Sequence, residues 1–204
     1  MGDEVRRPAG PVTVEIDPIR GSRFIGDAGP AGDEDAAAAF VERVRRREPG
    51  ATHHCVAWRI AEGRSRANDD GEPGGTAGRP MLQRIESAGL EQVVVVVSRY
   101  YGGTKLGTGG LIRAYGAAAR AALDAVPVEV AVATVPMLLE HGFEQSSAVA
   151  TVLAAFEVAV LAADYGLSVH LRVAVPRAAV ERFTEAMGQA TAGRVVARRD
   201  DEVG

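Results

Sequence analysis

An α+β fold in two domains is what this sequence predicts, and three observations carry it. Strand-like and helix-like segments are mixed along the chain, their order starts afresh after Pro127, and the charge balance steps at the same place. Residues 1–126 hold 17 Lys and Arg against 17 Asp and Glu, whereas residues 127–204 hold 6 against 10, so the whole net charge of -4 lies in the last third. With 204 residues there is room for two small domains, expected at 1–126 and 127–204.

In the first domain "VTVEID" and "SRFIGDAG" alternate as strands about a turn at Gly21. A helix follows: Asp33 caps it, Glu34 and Asp35 fill its first turn, Ala37, Phe40, Val41 and Val44 share a face, and Arg45, Arg46 and Arg47 suit the negative end of the helix dipole. Pro49-Gly50 stops it. "HHCVAWRIA" reads as a strand, "GRSRANDDGEPGGTAGRP" as a long polar loop, and "MLQRIESAGL" as a short amphipathic helix. "QVVVVVSRYY" is too apolar to have a wet face, which predicts a strand central to its sheet and buried on both sides. From Thr108, an expected N-cap, the pattern is helical again, with Leu111, Tyr115, Ala118 and Ala122 inward and Arg113, Arg120 and Asp124 outward.

After Pro127, "VEVAVATVPMLLEH" reads as one strand and "QSSAVATVLAAFE" as a helix with Val149, Val152, Leu153 and Phe156 in register. "VAVLAADYG" and "LSVHLRVAV" form a hairpin about Asp164–Gly166. "PRAAVERFTEAMGQ" is a helix opened by Pro176 with Val180, Phe183 and Met187 inward, and "GRVVARRDDE" closes as a strand. This is βαββαβ, the ferredoxin-like order.

A single cysteine, Cys55, excludes an internal disulfide, and neither a signal-peptide core nor a membrane-length apolar run is present, so the expected location is the cytoplasm. The neutral first domain and acidic second one exclude a wholesale polyanion binder; any nucleic-acid contact has to be local.

The chemistry is concentrated in "RYYGGTKLGTGGLIRAYG", Arg99 to Gly116, which holds six glycines, three of the four tyrosines and the only lysine. It is no P-loop, because Thr108 follows Gly107 where lysine is required. It is no dinucleotide fingerprint, because Ile112 stands where the third glycine belongs. A buried strand turning through Gly102 and Gly103, then Gly107, Gly109 and Gly110 into a helix start, presents free N–H groups to an anion, with Arg99, Lys105 and Arg113 supplying charge. The other reading of the same glycines is architectural, providing positive φ and close packing. The second cluster is Asp69, Asp70 and Glu72, with Thr76 nearby. Its carboxylates suit a hard cation, but Asn and Asp before Gly is turn chemistry and the spacing matches no EF-hand, so no metal or cofactor is assigned. His53 and Cys55 share a strand face that His54 does not, and two ligands do not make a zinc site. His141 and His170 are isolated and expected to be structural.

Taken together, "IRGSRFIG" (19–26), "HHCVAWRI" (53–60), "DDGEPGGTAGRPML" (69–82) and "VVSRYYGGTKLGTGGLIRAYG" (96–116) resemble the IMPACT/YigZ family over nearly all of residues 12–126. Residues 128–199 look like the smaller C-terminal domain of its bacterial branch. The resemblance implies a left-handed βαβ fold for the first domain, similar to a small-subunit ribosomal protein and to domain IV of elongation factor G, and a second domain similar to domain V of that factor. It implies translation regulation as the setting. It carries over no catalytic residue. The eukaryotic role in amino-acid starvation, exercised through an RWD domain that is not seen here, is not transferred. What carries over is the motif: Asp69, Asp70, Gly71, Glu72, Pro73 and Thr76, then Arg99, Tyr100, Tyr101, Gly102, Gly103, Lys105, Gly107, Thr108, Gly109 and Gly110.

Three functions follow from these residues. One is a binding module for RNA, the ribosome or a translation factor, with Tyr100 or Tyr101 stacking and Arg99, Lys105 and Arg113 on phosphates. Another is an enzyme or sensor for a small phosphorylated ligand, with the Asp69–Glu72 loop as acid, base or metal holder. The third is a protein scaffold whose glycines are purely architectural.

Overall fold

The computed structural model describes residues 4–60 and 63–200, in two units that divide between Ala131 and Val132. In the first unit β2 (Val12–Ile19) and β3 (Ser22–Pro30) form a hairpin, followed by α1 (Glu34–Arg47), β4 (His53–Arg59), β5 (Ser65–Asn68), α2 (Gly78–Ala88), β6 (Val93–Tyr100) and α3 (Gly107–Ala125). Outside this sheet, β1 (Glu4–Pro8) pairs with β7 (Val128–Val132). The sheet order is β2-β3-β6-β4-β5, with β6 antiparallel to both neighbours.

The valine run sits at the centre of this sheet because both of its faces are covered. Val94 and Val96 pack with Phe40, Val44 and Trp58 beneath α1. Val93, Val95 and Val97 pack with Met81, Ile85, Leu111 and Tyr115 beneath α2 and α3. Such double burial leaves no place for a polar side chain, which is why alternation is lost. The Asp33 side chain accepts from the Ala36 N–H and caps α1. Its terminal arginines do more than meet the dipole: Arg47 pairs with the buried Asp27 at 2.6 Å, and Arg45 with Asp70 at 3.1 Å.

In the second unit β8 (Thr134–His141), α4 (Ser146–Ala155), β9 (Ala159–Tyr165), β10 (Val169–Pro176), α5 (Val180–Ala190) and β11 (Arg198–Arg199) give the order β11-β8-β10-β9, all antiparallel. Met137, Leu139, Val173, Phe183 and Met187 form its core, with Phe156 edge-on to Phe183 at 5.7 Å.

The α+β class and the βαββαβ order stand, and several boundaries move. The polar loop after β4 contains β5, four exposed residues paired to Val56–Arg59, and α2 begins at Gly78 rather than Met81. Burial alone gives no sign of β5, because an edge strand with a wet surface has no apolar alternation. The segment 128–141 is two strands, β7 and β8, not one. The hairpin turns at Gly166–Ser168, after Tyr165. The closing strand is only Arg198–Arg199; Asp201 and Glu202, like Ala61 and the first three residues, lie outside the described residues. Among the described residues no helix is long and apolar enough to cross a membrane.

Candidate functional site

The two motif stretches meet in the first unit. β6 delivers Arg99 from its end, the loop 69–77 delivers Glu72, α3 delivers Tyr115 and β4 delivers His53. Arg99 Nη1 donates to Glu72 Oε1 at 2.5 Å, and the Tyr115 hydroxyl donates to the same oxygen at 2.7 Å. The side chains of Arg99 and Glu72 are 6% and 4% exposed, so each charge depends on the other for its solvation. The Arg99 guanidinium lies between the rings of Phe24 and Tyr101, at 5.6 and 5.5 Å, and reaches Ser22 at 3.4 Å. Its Nε is buried without an acceptor among the described residues.

His53 and Cys55, on one face of β4, hold the loop by neighbouring carbonyls. Cys55 Sγ donates to Asp69 O at 3.0 Å, and His53 Nδ1 lies 2.8 Å from Asp70 O. A carbonyl can only accept, so Nδ1 carries a proton, and Nε2 faces Glu72 Oε1 at 3.9 Å. His54 points to the other face and meets Ser98 at 2.9 Å; burial lowers its pKa. Burial pushes the Cys55 thiol up to about 12, and burial likewise raises the Tyr115 hydroxyl, so both stay protonated.

The carboxylates of the loop do different work from Glu72. Asp69 Oδ1 accepts from Ala77 N and Gly78 N at 2.9 and 2.8 Å, and Oδ2 from Gly75 N at 2.7 Å. It thus fills the N-terminal end of α2. Burial pushes its pKa up, but the bonds from Gly75, Gly78 and Ala77 outweigh that and hold it below the ordinary value. Asp70 sits at φ +45°, accepting from His54 N at 2.6 Å and from Arg45. Thr76 donates to Pro73 O at 2.6 Å. Among the described residues no group of three His, Cys, Asp or Glu side chains has metal-binding geometry.

The glycine stretch divides as well. A Cβ on Gly102 would lie 1.9 Å from the Gly21 carbonyl carbon, so that position is glycine because two backbones touch. Gly103 and Gly107 have φ of +84° and +70°. Gly109 has neither constraint: its φ is not positive, and a Cβ there would meet only the Arg113 side chain at 3.6 Å. Thr108 is not the N-cap. Leu106 holds that position and makes no side-chain cap bond. Lys105, Gly107, Thr108, Gly109 and Arg113 are exposed, and neither cation has an ion pair among the described residues.

Of the predicted residues, Arg99 and Glu72 are brought into contact, and Tyr101 flanks them. Tyr100 turns away and donates to Glu48 at 3.0 Å. Lys105, Arg113 and the glycines form the separate, open entrance to α3. Sequence reasoning placed Tyr115 only in the core and His53 only beside Cys55; the inward position of a tyrosine hydroxyl signals that a buried acceptor is needed but does not say that it is Glu72. In the second unit His141 is buried, with Nδ1 on Gly142 O at 2.8 Å, whereas His170 is exposed beside Ser168 rather than structural.

Residues 20–123 match the Impact N-terminal domain, and residues 140–194 match a domain of unknown function, DUF1949. The chain is 40% identical over 191 residues to the IMPACT family member YigZ of Escherichia coli (strain K12), covering 91% of this chain and 93% of that one. It is 52% identical over 109 residues to an IMPACT family member in the pol 5'region of Thermus thermophilus, 53% of this chain and 59% of that one. A crystal structure of a hypothetical protein aligns with a TM-score of 0.69 at 36% identity, over 98% of both chains.

Proposed function

This chain belongs to the IMPACT family, and from that premise we propose that it is a translation-linked binding protein holding the phosphates of RNA at the entrance to α3. The observation that supports this reading is a 19-residue helix whose start has no side-chain cap, lined by exposed Gly107, Thr108 and Gly109 and flanked by Lys105 and Arg113, which have no ion pair among the described residues. Free N–H groups and the positive end of the helix dipole attract an anion there, and glycine lets phosphate oxygens approach the backbone. Tyr101, 48% exposed, offers a ring for a base to stack on.

The test is a titration of single-stranded RNA against the protein at several salt concentrations. Affinity falls steeply with salt, and Lys105→Ala weakens it while lowering the salt slope by about one. Its effect on stability stays within roughly 0.5 kcal/mol, as for other exposed side chains. A salt-independent signal, or one that Lys105→Ala leaves unchanged, overturns the reading.

One observation favours a second reading, an enzyme or sensor for a small phosphorylated molecule. His53 sets its Nε2 3.9 Å from Glu72 Oε1 beside a buried arginine, an imidazole–carboxylate pairing of the kind used in acid–base chemistry. Binding of small phosphate compounds without RNA binding, lost in His53→Ala, selects this reading over the first.

A further inference from the structure

One helix on one face of a five-stranded sheet leaves part of that face uncovered. α1 packs on β3, β6 and β4, and its flank Glu34, Ala38, Val41 and Arg45 faces the edge strand β5 across a groove of about 410 Å³, within the range of small-molecule sites. Period-two alternation puts His54, Val56 and Trp58 of β4 on the groove floor, and the register sets Asn68 opposite Val56 and Arg66 opposite Trp58. Ion pairs tie the helix to both ends of β5: Arg64, just before it, meets Glu34 at 3.4 Å, and Asp70, after it, meets Arg45 at 3.1 Å.

Two nitrogens on this floor have no protein partner among the described residues. Trp58 and His54 are only 8% and 9% exposed. The Trp58 indole N–H donates to none of them, and His54 engages Ser98 through Nδ1 while its Nε2 is left over. A buried indole N–H ordinarily has an acceptor. Neither nitrogen is closed off from open space, and with nine-tenths of each side chain covered, the groove that both line is where that space lies.

The walls select the chemistry of an occupant. Three carboxylates, Glu34, Asp35 and Glu42, stand against two guanidiniums, Arg45 and Arg66, and burial keeps His54 neutral, so the lining has a net charge of -1 and disfavours a phosphate or a carboxylate. Asp35 and Arg66 have no ion pair among the described residues. A carboxylate accepts from amino groups, an indole N–H donates to a ring nitrogen or carbonyl, and a guanidinium stacks on a flat ring. Ala38, midway along the helix flank, is too small to fill the space. We propose that this groove binds an uncharged amino-purine, adenine or guanine as the free base or its nucleoside. Its exocyclic amino group meets Asp35 or Glu42, its ring nitrogens or carbonyl meet Trp58 and His54, and its two rings lie on Val41 and Val56. The groove is on the opposite face of the sheet from α2 and α3, so it is independent of the entrance to α3.

Trp58 is the only tryptophan, so its fluorescence reports on this groove alone. Titrating the full chain with adenosine or guanosine gives a saturable change in that emission and moves the lone indole N–H signal in a proton–nitrogen correlation spectrum. Uridine, which has no amino group, binds about tenfold more weakly. Ala38→Leu, at an exposed helix position where leucine is well tolerated, fills the groove and weakens purine binding by about tenfold or more with circular dichroism unchanged. If that variant does not fold, the indole signal of the parent chain decides. No saturable response to either purine nucleoside up to its solubility limit overturns the proposal, as does an unchanged affinity in folded Ala38→Leu. Tighter binding of adenosine monophosphate than of adenosine also overturns it, since the groove then recognises a phosphate.

Discussion

Two helix entrances in the first unit are both reached through glycine-rich loops, and they end differently. At α2 the chain supplies its own anion: Asp69 takes the N–H groups of Gly75, Ala77 and Gly78. At α3 the cap position falls on Leu106, which makes no side-chain cap bond, and two cations without an ion pair among the described residues, Lys105 and Arg113, stand nearby. A helix start needs acceptors for its N–H groups whatever its role. The one filled from within is architecture; the one left to be filled from outside is where binding chemistry is to be sought. Glu72, from the first loop, and Arg99, leading into the second, tie the two together through a buried ion pair.

The comparison can be broken at its strongest point first. Glu72→Ala leaves the Arg99 charge buried without its partner and costs about 3–5 kcal/mol, read as a fall in the urea midpoint. A loss no larger than that of a surface substitution would mean that the pair does not hold the loops together. Asp69→Ala comes next, removing three charge-assisted bonds at a cost of about 1–3 kcal/mol.

The same residue gives a pH signature. Because its folded pKa lies below the ordinary 3.8, its stabilisation is complete above that value and is lost as pH falls through the folded pKa. In Asp69→Asn the acid limb of stability against pH should therefore be shallower than in the parent; an unchanged limb would show that the amides are not held by charge.

Gly109→Ala is the smallest effect and the sharpest discriminator. With no positive φ and only a flexible side chain nearby, alanine raises helix stability by about 0.5–1 kcal/mol in thermal unfolding. If the entrance to α3 holds phosphate, the same substitution weakens RNA binding by obstructing the backbone. A gain in stability with unaltered binding would reduce that entrance to architecture.

Much of the first unit was legible because its signals are local. Five consecutive valines leave no wet face, so β6 had to be central. Asp33 ahead of an acidic first turn marked α1. Edges and joints were less legible. β5 has no apolar alternation, since all four of its residues are exposed, and the break between β7 and β8 occurs within a continuous run of strand-forming residues. The candidate site was legible as two motifs but not as one cluster. Nothing in the spacing of residues 72, 99 and 115 says that a carboxylate, a guanidinium and a phenol share one oxygen, nor that Asp69 and Asp70 are committed to backbone N–H groups while Glu72 is not.

The sequence by itself determined the α+β class, the two-domain order, the central valine strand and the family. These depend on periodicity and on motifs that are read along the chain. Only the tertiary structure decided which carboxylate meets Arg99 and which helix start is capped. Those outcomes depend on where the chain returns in space: a carboxylate binds the nearest unsatisfied donor, and proximity across 27 or 43 residues is set by packing.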